Sequence, residues 1–186
     1  MTGHPSAAPV SWVPDGYTAV APWVVTPDTG AFLDFVAAAF AGVELARVRT
    51  EDGTIGHGEI KVGDTVVLAF DRRPEWPDMP SLLRVFVPDA DQAMANAVAA
   101  GARVVTQAST SAFGQRGGRV RDPFGNIWWV VTQVELVPDA VMWQRFQEPG
   151  YAAQMRVAQE TLDAELSGQQ HRRSGAPVGP SPDQLK

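Results

Sequence analysis

His57 and Glu59 have the residue types of a general base and of a carboxylate that orients it. One glycine separates them in residues 54–62, which have the composition of a β-strand, so both side chains lie on one face. Proton transfer to or from a small molecule is the chemistry such a pair could perform. A polar pair on a half-exposed strand has the same spacing, so the motif alone does not establish catalysis.

Arg84 is the third side chain with a possible functional role, because it lies between the apolar Leu83 and Val85 in the predicted strand 82–87. An arginine at such a position is costly to bury unless its charge is paired. We predict that it either pairs with Glu59 or holds a carboxylate, carbonyl or phenolate group of a ligand. An arginine at the rim of the sheet, with its guanidinium in water, is the alternative.

Residues 117–132 predict a hairpin that presents aromatic surface. A D-P-F-G turn leads into a strand that places Trp128 and Trp129 on opposite faces. We predict that Trp128 packs under a helix, and that Trp129 either stacks on a flat ligand or fills the core. Trp23 is predicted to form a second aromatic wall or a further part of the core.

The segment before this hairpin, residues 109–118, adds Phe113 and Arg116 as candidate ligand contacts. We predict a flexible loop here, and such a loop could fold over a bound molecule. Arg116, Arg119 and Arg121 also fit the solvent-exposed face of a charged strand, and the sequence leaves both interpretations open.

Composition excludes several classes of protein. The chain has 186 residues, a net charge of -6 at pH 7 and no cysteine. The acidic balance argues against nucleic-acid or anionic-membrane partners, and the lack of cysteine excludes disulfides and thiolate chemistry. No apolar run reaches the roughly 20 residues of a membrane helix, and the N-terminus lacks a signal-peptide pattern, so we predict a cytoplasmic protein. Only three histidines occur, so a site with several imidazoles is not expected.

The elements that position these residues follow a repeated order. A strand, a helix and three strands are predicted over residues 19–70 and again over residues 82–134, about 60 residues apart. Each copy has V-x-x-P-D before its helix. One copy buries only one face of a four-stranded sheet, so the two copies must pack together to close a core, and the other faces would form a cup.

These elements predict the domain organisation of the chain. We assign a flexible leader to residues 1–16, one domain to residues 17–137, C-terminal helices to 138–167 and a disordered tail to 168–186. The domain divides into modules at 17–75 and 81–137. Apolar residues on the C-terminal helices are predicted to dock on the domain or on a second subunit.

The tandem modules, the His57-Gly58-Glu59 strand and the G-x-R-x-G-R-x-R-D-P-F-G-like segment 114–125 resemble the vicinal oxygen chelate superfamily over residues 17–135. Glyoxalase I, extradiol dioxygenases, fosfomycin-inactivating transferases and bleomycin-binding proteins belong to it. The resemblance implies an α+β fold of tandem βαβββ modules with a cup-shaped mixed sheet, here with a C-terminal helical extension. Enzymes and binding proteins share this scaffold, so the resemblance implies less about activity.

Metal-binding members of that superfamily place their ligands on four strands. Carried onto this chain, the positions fall near Ala21, near Glu59, at Arg84 and at Trp129, and only the glutamate is a metal-ligand type. The resemblance therefore implies no metal site in this chain, and no cofactor is predicted.

We therefore predict a metal-free homodimer that sequesters an apolar or aromatic natural product or antibiotic. Its predicted ligand contacts are Trp23, His57, Glu59, Arg84, Phe113, Arg116 and Trp129. The alternative is an enzyme, either a glyoxalase-like lyase or isomerase that uses Glu59, His57 and Arg84, or a metal-dependent dioxygenase, acting on a small carbonyl or aromatic substrate. A structural or regulatory module whose cup is filled by side chains is the third hypothesis.

Overall fold

The computed structural model describes residues 11–168, so most of the predicted leader and nearly all of the predicted tail lie outside the described residues. The strands in this part of the chain are β1 (Trp23–Thr26), β2 (Val43–Arg49), β3 (Ile55–Val62), β4 (Thr65–Asp71), β5 (Leu82–Phe86), β6 (Arg103–Thr110), β7 (Gln115–Arg121) and β8 (Ile127–Gln133). The helices are α1 (Thr29–Phe40), α2 (Ala90–Ala99), α3 (Asp139–Gln147) and α4 (Pro149–Leu166). None of these helices has the length and apolar character needed to cross a bilayer.

The strands form two mixed sheets of four strands, ordered β1-β4-β3-β2 and β5-β8-β7-β6. In each sheet the first strand runs parallel to its neighbour, and the remaining pairs are antiparallel. The prediction of two βαβββ modules in an α+β fold with C-terminal helices is confirmed.

The helix of each module follows the aspartate of its V-x-x-P-D motif. Asp28 Oδ1 accepts a hydrogen bond from the backbone N–H of Ala31 at 2.9 Å, and Asp89 Oδ1 accepts one from Gln92 at 3.0 Å. Each carboxylate satisfies an N–H that has no partner inside the helix. The repeated motif thus acts as a repeated helix N-cap.

Helices α1 and α2 lie between the two sheets. α1 packs mainly on β3, α2 packs mainly on β7, and the two helices pack on each other. Phe32 and Phe40 of α1 also reach Trp128 of β8, with ring centroids 6.4 and 4.8 Å apart. If the two sheets were instead joined edge to edge, several strands spaced about 4.8 Å apart would separate α1 from α2. The helices would then be too far apart to pack on each other. The buried residues of both modules therefore form one core.

Each sheet consequently has a helix face, which closes this core, and an opposite face that the other module does not cover. We call the latter the first outer face (β1–β4) and the second outer face (β5–β8). A Cβ on Gly58 would touch Leu33 of α1, and one on Gly118 would touch Met94 of α2, which identifies the helix faces. By the alternation of strand residues, Glu59 and Arg119 lie on the outer faces.

The D-P-F-G-N turn between β7 and β8 is held by a single buried carboxylate. Asp122 accepts hydrogen bonds from the backbone N–H groups of Phe124 and Asn126, the Asn126 amide and Trp128 Nε1, at 2.8 to 3.0 Å. Burial raises the pKa of Asp122, while these four donors act in the opposite direction. The turn thereby fixes the register in which β8 presents Trp128 to the helices and Trp129 to the second outer face.

Candidate ligand-binding site

A cavity of about 310 Å³ lies between the second outer face and helix α4. Its volume is at the lower end of the range typical of small-molecule sites. The sheet and the β6–β7 turn contribute Phe113, Arg119, Trp129 and Val131, and α4 contributes Tyr151 and Met155. Helix α4 thus supplies one wall of the cavity and the sheet supplies the other.

Polar contacts dock α4 across the sheet. The Thr161 and Thr106 hydroxyl groups are 2.7 Å apart, and Arg119 Nη1 donates to the Ala158 carbonyl oxygen at 2.7 Å. At the far end of the helix, Glu165 Oε1 accepts from both Arg103 and Arg121. These contacts hold the C-terminal half of α4 on the second outer face.

Glu165 is the most deeply buried acid of this interface, with 1% of its side chain exposed. Burial by itself raises the pKa of the Glu165 carboxyl, but Arg103 and Arg121 outweigh that effect and hold the pKa below its usual value. The carboxyl is therefore ionised at neutral pH, and its charge is compensated by two guanidinium groups.

Trp129 lies between two arginines in one row of the second outer face. Strand register pairs it with Arg84 of β5 on one side and with Arg119 of β7 on the other. The guanidinium carbons of Arg84 and Arg119 lie 4.3 and 4.8 Å from the centre of the indole ring. Both distances fall within the range of cation–π interactions.

The predicted ion pair between Arg84 and Glu59 is wrong, because the two residues lie on different outer faces. Arg84 Nη2 donates instead to Gln115 Oε1. Gln115 Nε2 in turn donates to Gln133 Oε1 at 2.8 Å, and Gln133 donates to backbone carbonyls that include that of Phe113. This relay connects the Arg84–Trp129 row to the turn at the edge of the cavity.

The flexible loop predicted at residues 109–118 is instead a hairpin with a short turn. The backbone N–H of Ser111 donates to Gln115 O at 2.7 Å, so β6 and β7 are joined almost directly. Arg116 points to the helix face, where it pairs with both oxygens of Asp91 on α2 at 2.5 and 2.7 Å. Arg116 therefore faces away from this cavity, and its predicted ligand contact is not part of this site.

Arg119, rather than Arg116, is the arginine of β7 that faces the cavity. The sequence indicates this position of Arg119. In an antiparallel hairpin closed by the D-P-F-G turn, residue 119 lies opposite residue 129. The contribution of α4 carries no such signal, because neither strand pairing nor spacing indicates where a later helix docks.

The remaining predicted contacts lie on the first outer face. His57 Nε2 and Glu59 Oε1 are 2.6 Å apart, and the Tyr17 hydroxyl together with His57 holds the pKa of Glu59 below its usual value. Trp23 is 58% exposed and packs edge-on against Phe70, with ring centroids 5.5 Å apart. Within one chain, this group is separated from Arg84 and Trp129 by the whole core.

Comparison with known proteins identifies the scaffold. The family model of the Glyoxalase/Bleomycin resistance protein/Dioxygenase superfamily matches residues 16–130. The chain belongs to this superfamily. The uncharacterised protein Mb0911c of Mycobacterium bovis is 32% identical over 121 residues, which cover 59% of this chain and 80% of that protein. The uncharacterised protein Rv0887c of Mycobacterium tuberculosis is also 32% identical over 121 residues, which cover 59% of this chain and 71% of that protein.

Solved structures of the same fold align with most of the two modules. TioX from Micromonospora sp. ML1 has a TM-score of 0.51 at 21% identity and covers 65% of this chain and 100% of its own. Protein PA1353 from Pseudomonas aeruginosa has a TM-score of 0.52 at 18% identity and covers 62% and 98%, respectively. The superfamily match ends at residue 130, so α4 and its wall of the cavity lie outside it.

The side chains of this superfamily member do not fit the metal site that the superfamily implies. Arg84 stacks on Trp129, Ala21 has no donor atom, and Glu59 lies on the other outer face. Within residues 11–168, no three His, Cys, Asp or Glu side chains are grouped so that they could hold a metal ion.

Proposed function

We propose that this protein binds one planar, largely apolar aromatic molecule per chain in the cavity beneath α4 and releases it unchanged. The observation that carries the proposal is the position of Trp129, whose indole forms part of the wall together with Phe113, Val131 and Met155. Aromatic side chains in a cleft favour flat aromatic ligands, because an edge-to-face contact adds about 0.5–1.5 kcal/mol to the burial of apolar area. Sequestration of an antibiotic or other natural product in the cytoplasm is the use that we propose for this binding.

The ligand contacts of the proposed site are Trp129 and Phe113 from the predicted set, with Arg84 bordering the indole. Tyr151 and Met155 of α4 complete the enclosure. Sequestration requires no general base within the cavity, and the His57–Glu59 pair lies outside it.

Calorimetric titration with the neutral probe 2-naphthamide tests the binding step. We expect saturable binding with one probe per chain, and recovery of unchanged probe after the protein is denatured. Ala158→Leu on α4 fills the cavity and should abolish binding, whereas Ala152→Leu on the exposed side of the same helix is the matched control. Absence of binding by the folded wild-type protein, or conversion of more than one equivalent of probe to product, contradicts the proposal.

We also propose that the protein acts as a homodimer. Large apolar side chains remain exposed along the outer faces and their edges, including Leu82 at 64% and Phe86 at 59%. A second copy that covered them would bury apolar surface and bring a first outer face opposite the β5 side of a second outer face, which α4 leaves exposed. Light scattering coupled to size exclusion should give the dimer mass, and Phe86→Glu should shift it toward the monomer.

The hydrogen-bonded His57–Glu59 pair favours an enzyme as the second candidate function. In that function His57 would act as the base, Glu59 would orient it, and Arg84 of a second copy would polarise a carbonyl. A catalytic role predicts that Glu59→Gln abolishes product formation with an intact dimer. A binding function predicts that the same change leaves affinity for 2-naphthamide unaltered.

A further inference from the structure

Two guanidinium groups beside the cavity lack a carboxylate partner in residues 11–168. The ion pairs in this part of the chain involve other basic residues, namely Arg47, His57, Arg72, Arg103, Arg116, Arg121, Arg145 and Arg156. Arg84 and Arg119 contact neutral polar groups and the Trp129 ring, and Arg84 also lies over the Phe86 ring. Of the two, Arg119 lines the cavity.

Arg84 and Arg119 lack such a partner among the described residues, although the chain has a net charge of -6. Acidic residues are abundant, yet the nearby Glu165 is taken by Arg103 and Arg121, and Asp91 is taken by Arg116 on the opposite face. Burial also lowers the pKa of both Arg84 and Arg119, because partial loss of water disfavours the charged form. Positive charge at a partly dehydrated position is costly unless an anion compensates it.

The geometry of Arg119 leaves donors available to such an anion. Its Nη1 atom donates to Ala158 O at 2.7 Å and to Thr106 Oγ1 at 3.3 Å, which fixes the side chain beneath α4. Nε and Nη2 make no hydrogen bond to the described residues. A guanidinium held by one nitrogen presents its remaining N–H groups in a fixed orientation, which suits a planar oxyanion.

We propose that the ligand is an aromatic anion, such as an aryl carboxylate or phenolate, whose charged oxygen binds Arg119 while its ring packs beside Trp129. Arg84, on the other side of the indole, adds positive potential without entering the cavity. This inference rests on the proposed binding function and specifies the chemical class of its ligand.

Paired calorimetric titrations of 2-naphthoate and 2-naphthamide test this inference, because the two probes share one ring system and differ in charge. We expect the full-length protein to bind naphthoate at least tenfold more tightly than naphthamide, as charge-assisted hydrogen bonds typically provide. Sodium chloride should weaken naphthoate binding and leave naphthamide binding nearly unchanged.

The Arg119→Gln variant should remove this preference, measured as the ratio of the affinities for the two probes, and Arg119→Lys should restore part of it. Arg116→Gln, on the opposite face of the same strand, is the matched control and should keep the full preference. Melting curves establish that each variant is folded, and the wild-type comparison of the two probes stands without any variant.

Equal affinity of the wild-type protein for both probes, or a stronger affinity for naphthamide, would overturn the anion inference and leave the binding function intact. A preference that survives in Arg119→Gln would also overturn it, because the anion would then be held elsewhere. Binding of neither probe would overturn the proposed function and this inference together.

Discussion

Arg119 and Trp129 face each other across β7 and β8, with the guanidinium carbon 4.8 Å from the centre of the indole ring. Arg84 occupies the corresponding place on the other side of the ring, at 4.3 Å. The indole is therefore the centre of a row with a cation at each end. One face of a four-stranded sheet thus combines a flat apolar surface with positive charge, at the wall of a cavity closed by α4.

Replacing Trp129 by leucine should weaken binding of 2-naphthamide by about tenfold, because the aromatic edge in the cavity wall and its flanking cation–π contacts are lost. Calorimetry with purified, folded protein measures the change. Trp143→Leu on α3 serves as the control, since Trp143 is exposed and does not line the cavity. An unchanged affinity in Trp129→Leu would place the probe at another site.

Glu165→Gln should loosen α4 from the second outer face, because one neutral amide would replace a carboxylate that accepts from two guanidinium groups. We expect a loss of about 1–3 kcal/mol in the docking free energy, since the carboxylate is buried but both arginines are partly exposed. Hydrogen exchange should then accelerate in α4 while the sheets remain protected. Glu160→Gln, an exposed change on the same helix, should have no such effect.

Acid should release α4 before it unfolds the modules. The pKa of Glu165 is lower in the folded state than in an unfolded chain, where a glutamate titrates near about 4.3. The ion pairs therefore contribute their full stability above that pH and lose it as the pH falls through the folded-state value. Hydrogen exchange of α4 measured from pH 7 down to pH 3 should report the release. In Glu165→Gln, the exchange rate corrected for intrinsic chemistry should no longer depend on this titration.

Asp122→Ala should destabilise the whole domain, because it leaves the Trp128 indole N–H and the Asn126 amide buried without their acceptor. We expect a loss of about 3 kcal/mol in the free energy of unfolding, as is typical when several buried donors lose one charged partner. Urea denaturation measures this value. Asp64→Ala, in the exposed turn between β3 and β4, is the matched change and should cost well under 1 kcal/mol.

Much of the fold was predictable from the sequence, because its determinants are local. The V-x-x-P-D motifs specify two helix N-caps. The D-G and G-D dipeptides and the D-P-F-G turn specify the hairpins. Strand alternation then assigned Trp128 to the helix face and Trp129 to the outer face, and the structure has both. Periodicity and turn chemistry act over a few residues, so they can be recognised without the tertiary structure.

The set of residues that line the cavity depends on the tertiary structure and could not be predicted from the sequence. The sequence placed His57, Glu59 and Arg84 in one cup, but the two helices lie between the sheets and turn these residues to different outer faces. The sequence also favoured Arg116 over Arg119 as a ligand contact. The two side chains lie on opposite faces of β7, so Arg116 contacts Asp91 and Arg119 contacts Trp129. Helix α4 reaches the sheet through Glu165, Thr161 and Ala158, whose partners are distant in sequence. Such long-range packing depends on which surfaces meet when the core closes, and no local pattern encodes it.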